Sequence, residues 1–364
     1  MAITEKNFQK LLQVALENNS SDVHLREGEP PSFRIKGDLT TIKASPLSKE
    51  DFEAIFAFLN IKREKFEIEA SELDGSFEVP EVCRLRFNLY KYSGRYGIIL
   101  RIIKFEIPNF EDLYLPSNLS DVVKPKAGIT LVTGPTGSGK SSTLAALINH
   151  INHNQRKHII SIEDPIEYIH QSQKSKISQR EIGVDTKDFK SALRSSLRQD
   201  PDIILIGEMR DTETIETALK AAETGHHIFS TMHTSNAAST VNRIISMFPP
   251  SEQQNVRLRL ADSLNSVIGQ KLVPSFSGKS IFPAQEIMLN GPGVKECISG
   301  KEDLSRINQI IFEGGKHFSS KEKLTSISFD QSLMRLYNGS KISKETLLQF
   351  SENPDDLEKS IMFD

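Results

Sequence analysis

The stretch LVTGPTGSGKS at residues 131–141 decides how this chain folds. It contains the pattern G-x-x-x-x-G-K-[ST], completed by Gly134, Gly139, Lys140 and Ser141. A mostly apolar run over 128–132 precedes it and predicts a buried strand, and a helix-forming run over 142–148 follows it. A strand, a glycine-rich turn and a helix in this order are typical of a phosphate-binding P-loop. The alternative, a glycine-rich turn that binds nothing, is disfavoured because all four motif positions and both flanking segments fit the P-loop.

The residue types of this loop suit a nucleoside triphosphate. Its glycines let the backbone curl so that N–H groups point inward, and the helix that follows adds the positive end of its dipole. We expect Lys140 to reach the β- and γ-phosphates and the Ser141 hydroxyl to ligate Mg²⁺. The predicted nucleotide-binding residues of the loop are Gly134, Pro135, Thr136, Gly137, Ser138, Gly139, Lys140, Ser141 and Ser142.

Length and composition limit the classes of protein that remain. A chain of 364 residues can form one large or two medium domains. Its 45 basic and 48 acidic side chains nearly balance, so no global basic field would recruit nucleic acid. Cys83 and Cys297 lie far apart and outside any C-x-x-C pattern, which predicts reduced thiols in a cytosolic protein. Neither a signal peptide nor a membrane-spanning run is predicted.

The pattern along the chain changes from α+β to α/β at about residue 119. Before that point, helices are predicted over 5–19 and 48–70, and two strong strands over 84–90 and 95–103. After it, short apolar strands alternate with helices, which predicts a parallel sheet with right-handed crossovers. Beyond Pro250 the chain is predicted to be mostly helical, with short strand-like pieces.

We therefore expect four parts in the chain. A small α+β domain covers 1–104, and a linker covers 105–118. An α/β core that contains the P-loop covers 119–290, and a mostly helical C-terminal region covers 291–364.

Three strands after the P-loop end in side chains that suit catalysis on a nucleotide. The run Ile203–Ile206 leads to Glu208, whose carboxylate is expected to ligate Mg²⁺ beside the P-loop. The run His158–Ile162 ends in Glu163, our candidate to polarise the attacking water. A third strand ends in His233, which can orient or sense the γ-phosphate.

Each of these residues also has a plainer interpretation. Glu208 can be a solvated loop carboxylate, and His226 or His233 taken alone is more often a structural histidine. Arg86 and Arg101, on the two strong strands of the first domain, fit either a solvated sheet face or arginine fingers that reach a nucleotide. Convergence of three strand ends on one nucleotide favours the functional interpretation of His233.

Longer motifs make the chain resemble the secretion ATPase superfamily, and within it the type IV pilus retraction ATPases, the PilT/PilU group. The motifs are GPTGSGKS, SIEDPIEY, QREIGVDT, ALRSSLRQDPDIILIGEMRD and AAETGHHIFSTMHT. SDVHLREGEPPSFRIKGDL and RLRFNLY extend the resemblance over nearly the whole chain.

The resemblance implies a PAS-like N-terminal domain and a RecA-like ATPase core that assemble as a hexameric ring. It implies ATP and Mg²⁺ bound on the P-loop between the two domains, and hydrolysis that drives pilus disassembly at the cytoplasmic face of the inner membrane. An inner-membrane platform protein and a PilT/PilU paralogue are the implied partners, without direct nucleic-acid binding. The implied site residues are the Walker A loop 134–141, the Asp-box Glu163, the Walker-B Glu208, the His-box His226 and His233, and Arg86 and Arg101.

Two departures from the pattern of the retraction ATPases leave alternative functions open. Where retraction ATPases usually carry an Ala-Ile-Arg-Asn-Leu-Ile helix, this chain has GVKECI at 293–298, so retraction competence is open. The tail from Phe329 resembles the accessory PilU type, whereas GEMRD and the His box resemble PilT. A secretion or conjugation ATPase of the same superfamily, a non-hydrolysing ring subunit and, more distantly, a RecA-like nucleic-acid motor are the remaining alternatives.

Overall fold

The computed structural model describes residues 3–35, 37–61, 72–80, 82–103, 106–278, 280–319 and 322–363. The chain divides into two compact units, Met1–Glu106 and Ile107–Asp364. Each unit has its own sheet and its own hydrophobic core. The predicted domain boundary, residues 104 and 105, lies outside the described residues.

The first unit is an antiparallel sheet packed against two helices. Its strand order is β3-β2-β1-β6-β5-β4. Alternate residues of β5 are buried, which is the period-2 pattern of a sheet with one face on a core. The strands are β1 (Ser20–Arg26), β2 (Ser32–Ile35), β3 (Asp38–Thr41), β4 (Glu72–Val79), β5 (Cys83–Tyr92) and β6 (Arg95–Ile103), and the helices are α1 (Glu5–Glu17) and α2 (Lys49–Phe58).

Helix α2 is shorter than the helix predicted over 48–70, and the prediction is wrong immediately beyond Phe58. Asn60 has a φ of 54°, a left-handed conformation that an α-helix cannot continue through. Residues 62–70 of the predicted helix lie outside the described residues.

The second unit contains a seven-stranded sheet in the order β13-β12-β7-β11-β10-β8-β9. Neighbouring strands are parallel except for β12 and β13, so the expected α/β class with a parallel sheet is confirmed. Every residue of β7, β10 and β11 is buried, which explains their continuous apolar sequences. The strands are β7 (Gly128–Thr133), β8 (His158–Glu163), β9 (Lys176–Glu181), β10 (Ile203–Ile206), β11 (His227–Met232), β12 (Leu264–Pro274) and β13 (Ile281–Leu289).

Two apolar clusters share the strands of this sheet. Ile204 and Ile206 of β10 belong to one cluster, whereas Ile203 and Leu205 belong to the other, because successive strand residues face opposite sides. The helices are α3 (Lys140–Asn154), α4 (Phe189–Ser196), α5 (Thr212–Glu223), α6 (Ala237–Ser246), α7 (Pro250–Ser263), α8 (Pro292–Ser299), α9 (Arg306–Gly315), α10 (Phe329–Asn338), α11 (Lys344–Phe350) and α12 (Pro354–Phe363), with a 3-10 helix at Ser117–Val123. Across the described ranges, no helix is both long and apolar enough to cross a membrane.

The region beyond Pro250 contains more strand than the sequence predicts. Strands β12 and β13 form a long antiparallel pair, in register from Ser266 with Leu289 to Pro274 with Ile281. The atypical segment 293–298 lies in α8, where its apolar side chains are buried. Both cysteines are free and buried, as the sequence predicts for reduced thiols.

Candidate active site

The register of the parallel strands brings the P-loop next to His233. Met232 of β11 pairs with Thr133 of β7, so the next residues, His233 and Gly134, leave neighbouring strands at the same edge of the sheet. This edge is the carboxyl end of the strands, where open α/β sheets bind ligands.

Glu163 and Glu208 emerge at the same edge from the two next strands. Ile206 of β10 pairs with Ile162 of β8, and the Gly207 N–H donates to the Ile162 carbonyl at 2.8 Å. A Cβ added at Gly207 would lie 3.4 Å from the Glu163 Cα, so the two strand ends run close together as they leave the sheet. The structure therefore brings together the three strand ends that the sequence singles out.

All three glycines of the P-loop, Gly134, Gly137 and Gly139, have positive φ values, in which most other residues would be strained. Gly134 and Gly139 have φ values of 146° and 82°. A side chain at Gly134 would collide with the Gln270 carbonyl oxygen, and a Cβ at Gly139 would lie 2.9 Å from Gln270 Nε2. Helix α3 begins immediately afterwards, at Lys140.

Lys140 is buried and lies across the loop. Its Nζ donates to the carbonyls of Gly134 and Pro135 at 2.9 and 3.0 Å. Burial lowers the pKa of Lys140, and the carboxylates of Glu208 and Glu167 act in the opposite direction. The ammonium is therefore held inside the curl of the loop, where it can meet a phosphate.

Glu208 is the centre of a charged cluster. Its Oε2 lies 2.7 Å from Arg210 Nη2, and its Oε1 lies 3.3 Å from His233 Nε2. Glu208 and His233, predicted separately, are thus in direct contact. Arg210, which stands two residues after Glu208 in the GEMRD motif, is not among the residues predicted from the sequence.

Glu163 is a partly buried carboxylate with an amide partner. Gln179 Nε2 of β9 donates to Glu163 Oε1 at 3.2 Å. Burial raises the pKa of Glu163, and hydrogen bonds, including that from Gln179, oppose the increase. A carboxylate with a raised pKa is a stronger base, which suits proton removal from water.

Three further polar residues lie around the P-loop and are not predicted from the sequence. The Tyr168 hydroxyl lies 2.7 Å from the Ser142 hydroxyl, beside the loop. Gln270 Nε2 donates to the Ser138 carbonyl at 2.6 Å, and Gln285 Nε2 donates to Gln270 Oε1 at 2.9 Å. Both glutamines lie on the β12–β13 pair, whose position next to β7 no local pattern reveals.

The structure does not bring His226 to this edge. His226 precedes β11, at the opposite end of the strand from His233, about 20 Å away at roughly 3.3 Å per residue. Its Nδ1 lies 2.9 Å from the Ala221 carbonyl, at the end of α5. Within one chain His226 therefore closes a helix, and its predicted contact with a nucleotide stays a prediction. Asp202 also lies at that far edge, where it binds Lys157 at 2.8 Å.

Arg86 and Arg101 lie in the first unit, directly opposite each other on β5 and β6. Arg101 Nε donates to Asp22 Oδ1 at 2.9 Å, while 63% of the Arg101 side chain is exposed. Arg86 is exposed as well. Their approach to a nucleotide stays a prediction.

The residues at this edge fit a magnesium nucleotide. The described residues hold no group of three or more His, Cys, Asp or Glu that would bind a metal ion. Mg²⁺ at nucleotide sites typically uses one or two protein oxygens together with phosphates, and Ser141 and Glu208 offer such oxygens. Within the described chain, Ser138 Oγ and Thr133 Oγ1 are buried without a hydrogen-bond partner, so the loop has unused polar groups.

Comparison with known proteins gives consistent matches over most of the chain. The family model described as "Type II/IV secretion system protein" matches residues 1–323. The Type IV pilus retractation ATPase PilT of Pseudomonas aeruginosa is 42% identical over 310 residues, covering 85% of this chain and 90% of PilT. The Type IV pilus ATPase PilU of the same organism is 36% identical over 353 residues, covering 96% of this chain and 90% of PilU.

A solved structure matches the fold of the whole chain. It is described as the pilus retraction motor PilT with bound ADP, and it superimposes with a TM-score of 0.87 at 38% identity. The match covers 96% of this chain and 98% of the solved chain.

Proposed function

The chain belongs to the Type II/IV secretion system protein family, and on that premise we propose that it is an ATPase that powers type IV pilus retraction. The observation that supports this most strongly is the convergence of Lys140, Glu208, His233 and Glu163 at the P-loop edge. A phosphate-binding loop alone would bind a nucleotide. Carboxylates on the neighbouring strand ends provide the means to hydrolyse it.

Binding is the task of the P-loop residues. The backbone N–H groups of 134–141 and the start of α3 surround the phosphates, and Lys140 neutralises the β- and γ-phosphates. Ser141 and Glu208 would hold Mg²⁺, which when bound would neutralise the charge that develops on the phosphate oxygens. His233, in contact with Glu208, reports whether a γ-phosphate is present.

Hydrolysis is assigned to Glu163. Its carboxylate accepts a proton as a water oxygen forms a bond to the γ-phosphorus. The bond between that phosphorus and the bridging oxygen breaks, and its electron pair stays on the ADP β-phosphate. Arg86 and Arg101 are proposed to neutralise charge on the nucleotide in the assembled motor.

The assembly and partners are also part of the proposal. We propose a homohexamer at the cytoplasmic face of the inner membrane, in contact with a pilus platform protein. Membership of a family of secretion and pilus ATPases supports this arrangement. The balanced charge of the chain disfavours a motor that moves along nucleic acid.

An accessory role beside a second retraction ATPase is the other candidate function. Its support is the PilU match, which spans 353 residues and so includes most of the tail, whereas the PilT match spans 310. A PilU-type subunit would assist retraction without being sufficient for it.

Deletion of the gene tests the proposed function, with twitching motility and surface piliation as the measurements. We expect reduced twitching and more surface pili, restored by the wild-type gene but not by the Glu163→Gln allele. Normal twitching and piliation in a strain that also lacks any retraction paralogue would contradict the proposal. Loss that appears only when the paralogue is also deleted would favour the accessory role.

A further inference from the structure

The side-chain amide of Gln179 is engaged on three sides. Its Oε1 accepts a hydrogen bond from the His170 backbone N–H at 2.7 Å. Its Nε2 donates to the Tyr168 carbonyl at 2.8 Å and to Glu163 Oε1 at 3.2 Å. Gln179 lies on β9, at the edge of the sheet next to β8.

The two backbone contacts determine which way this amide points. A backbone N–H can only donate and a backbone carbonyl can only accept, so His170 requires the amide oxygen and Tyr168 requires the amide nitrogen. The nitrogen therefore faces Glu163. A donor beside a carboxylate stabilises the ionised carboxylate over the protonated one.

We propose that Gln179 is a positioning residue for ATP hydrolysis, which holds the Glu163 carboxylate in place to accept the proton of the attacking water. The inference deepens the proposed function and rests on the role of Glu163 in it. Gln179 itself touches neither nucleotide nor water in this scheme, so it acts through Glu163.

The same amide also links Glu163 to the P-loop. Tyr168 accepts the Gln179 hydrogen bond through its carbonyl, and its hydroxyl lies 2.7 Å from Ser142 Oγ at the start of α3. The path from Glu163 through Gln179 and Tyr168 to Ser142 thus consists of three hydrogen bonds. It fixes the base relative to the loop that binds the phosphates.

The charges around Glu163 explain why such a donor is needed. Burial raises the pKa of Glu163, and the nearby Glu167 carboxylate acts in the same direction. Glu181 pairs with Glu163 across β8 and β9, and Glu208 follows the next strand. Against Glu167, the hydrogen bond from the Gln179 amide favours the ionised form of Glu163.

The test is the pH dependence of kcat for ATP hydrolysis by the full-length protein. Gln179→Leu keeps a similar volume but cannot donate, so the pKa of Glu163 rises. We expect the acid limb of kcat to move up by about one pH unit, with kcat about tenfold lower on that limb. The KM for ATP should stay within about twofold, since Gln179 does not bind the phosphates.

A second variant covers the possibility that Gln179→Leu does not fold. Gln179→Glu can still accept from the His170 N–H, but it sets an additional carboxylate beside Glu163. It should move the acid limb further than Gln179→Leu. Gln171→Glu is the matched control, because Gln171 is exposed and its side chain lies outside the path, and it should leave the profile unchanged.

The outcomes separate the inference from the proposed function. A wild-type protein without turnover, or full turnover in Glu163→Gln, would overturn both. Turnover that depends on Glu163, with an acid limb that neither Gln179 variant moves, would overturn only the inference. A uniform loss of kcat at every pH would assign Gln179 a merely structural role and would also overturn it.

Discussion

At the scale of single residues, the site contains ionisable side chains that are wholly or partly buried and that hydrogen bonds hold in place. Glu163 is held by one amide, and Lys140 by two carbonyls of its own loop. Glu286 is a third buried ionisable group, whose Oε1 accepts the Ala237 N–H at 2.7 Å. Ala237 starts α6, four residues after His233, so Glu286 supports the segment that presents this histidine.

Replacement of Lys140 should abolish tight nucleotide binding. Lys140→Ala removes the ammonium expected to contact the phosphates, and a charged hydrogen bond contributes about 1.5–3 kcal/mol. We therefore expect ATP affinity to fall by about ten- to a hundredfold, measured by equilibrium binding of a fluorescent ATP analogue. The exposed Lys174→Ala is the control. Unchanged affinity in Lys140→Ala would remove this lysine from the binding role.

Glu286 should make the stability of the protein depend on pH. Burial raises the pKa of Glu286 to about 7 from its ordinary value of 4.5. The folded state therefore binds a proton more tightly than the unfolded state, so stability falls as pH rises from about 4.5 through 7.

Glu286→Gln removes this titration but keeps an oxygen for the Ala237 N–H. At pH 8 the variant should be more stable than wild type by about 3 kcal/mol, and at pH 4 the two should be nearly equal. Urea unfolding at both pH values measures this, with the exposed Glu296→Gln as control. A Gln variant that is less stable at pH 8 would show that the carboxylate stays ionised and stabilising.

At the scale of secondary-structure elements, the residues at the carboxyl end of the sheet could be predicted from the sequence. The strands and side chains that support those residues could not. Strands β7, β8, β10 and β11 are each recognisable because a buried parallel strand is a continuous apolar run followed by a polar residue. Their shared direction then places Gly134, Glu163, Glu208 and His233 at one edge. The sequence analysis did not assign β4 or β9 as strands, because Glu72–Val79 and Lys176–Glu181 are edge strands with many polar residues.

The polar contacts beneath and beside the P-loop depend on pairings between distant segments. Gln270 reaches Ser138, which lies 132 residues earlier, and Gln179 reaches Glu163 only because β9 adds to the sheet beside β8. Nothing in the local sequence distinguishes these glutamines from exposed ones. His226 shows the reverse case, since a motif resemblance predicted a nucleotide contact for a residue that the strand direction places at the far edge.

Removal of the Gln270 amide should loosen the P-loop. Its oxygen accepts from the Thr143 hydroxyl at 2.8 Å, and its nitrogen donates to the Ser138 carbonyl at 2.6 Å. Gln270→Leu removes this partner from both groups and from the Gln285 amide nitrogen, and each buried polar group left unpaired costs about 1–3 kcal/mol. We expect a lower melting temperature and weaker ATP binding, whereas Gln171→Leu should change neither. Unaltered ATP affinity in a destabilised Gln270→Leu variant would show that Gln270 supports only the core.

At the scale of the whole molecule, each unit has its own core and its own part of the proposed function. The second unit carries the P-loop and the three strand ends proposed to act in catalysis, and the first unit carries Arg86 and Arg101. The sequence predicts a change from an α+β to an α/β pattern at about residue 119. The structure divides into its two units between Glu106 and Ile107. The two arginines lie opposite each other on β5 and β6, and their proposed role is to neutralise charge on the nucleotide.

Arg101 should matter for turnover more than for binding. Arg101→Ala removes a cation proposed to stabilise charge in the transition state, so kcat should fall at least about tenfold while ATP affinity changes little. The exposed Lys91→Ala in the same unit is the control, and steady-state hydrolysis with ATP titration measures both quantities. Equal kcat for wild type and Arg101→Ala would mean that Arg101 serves only the structure, through its ion pair with Asp22.

Phosphate release by the purified wild-type protein and its Glu163→Gln variant tests the central claim most directly. The account predicts continuous release from ATP and Mg²⁺ by wild type, and at least about a hundredfold slower release by Glu163→Gln at unchanged ATP affinity. Turnover in the variant at the wild-type rate, or no turnover in either protein, would contradict it.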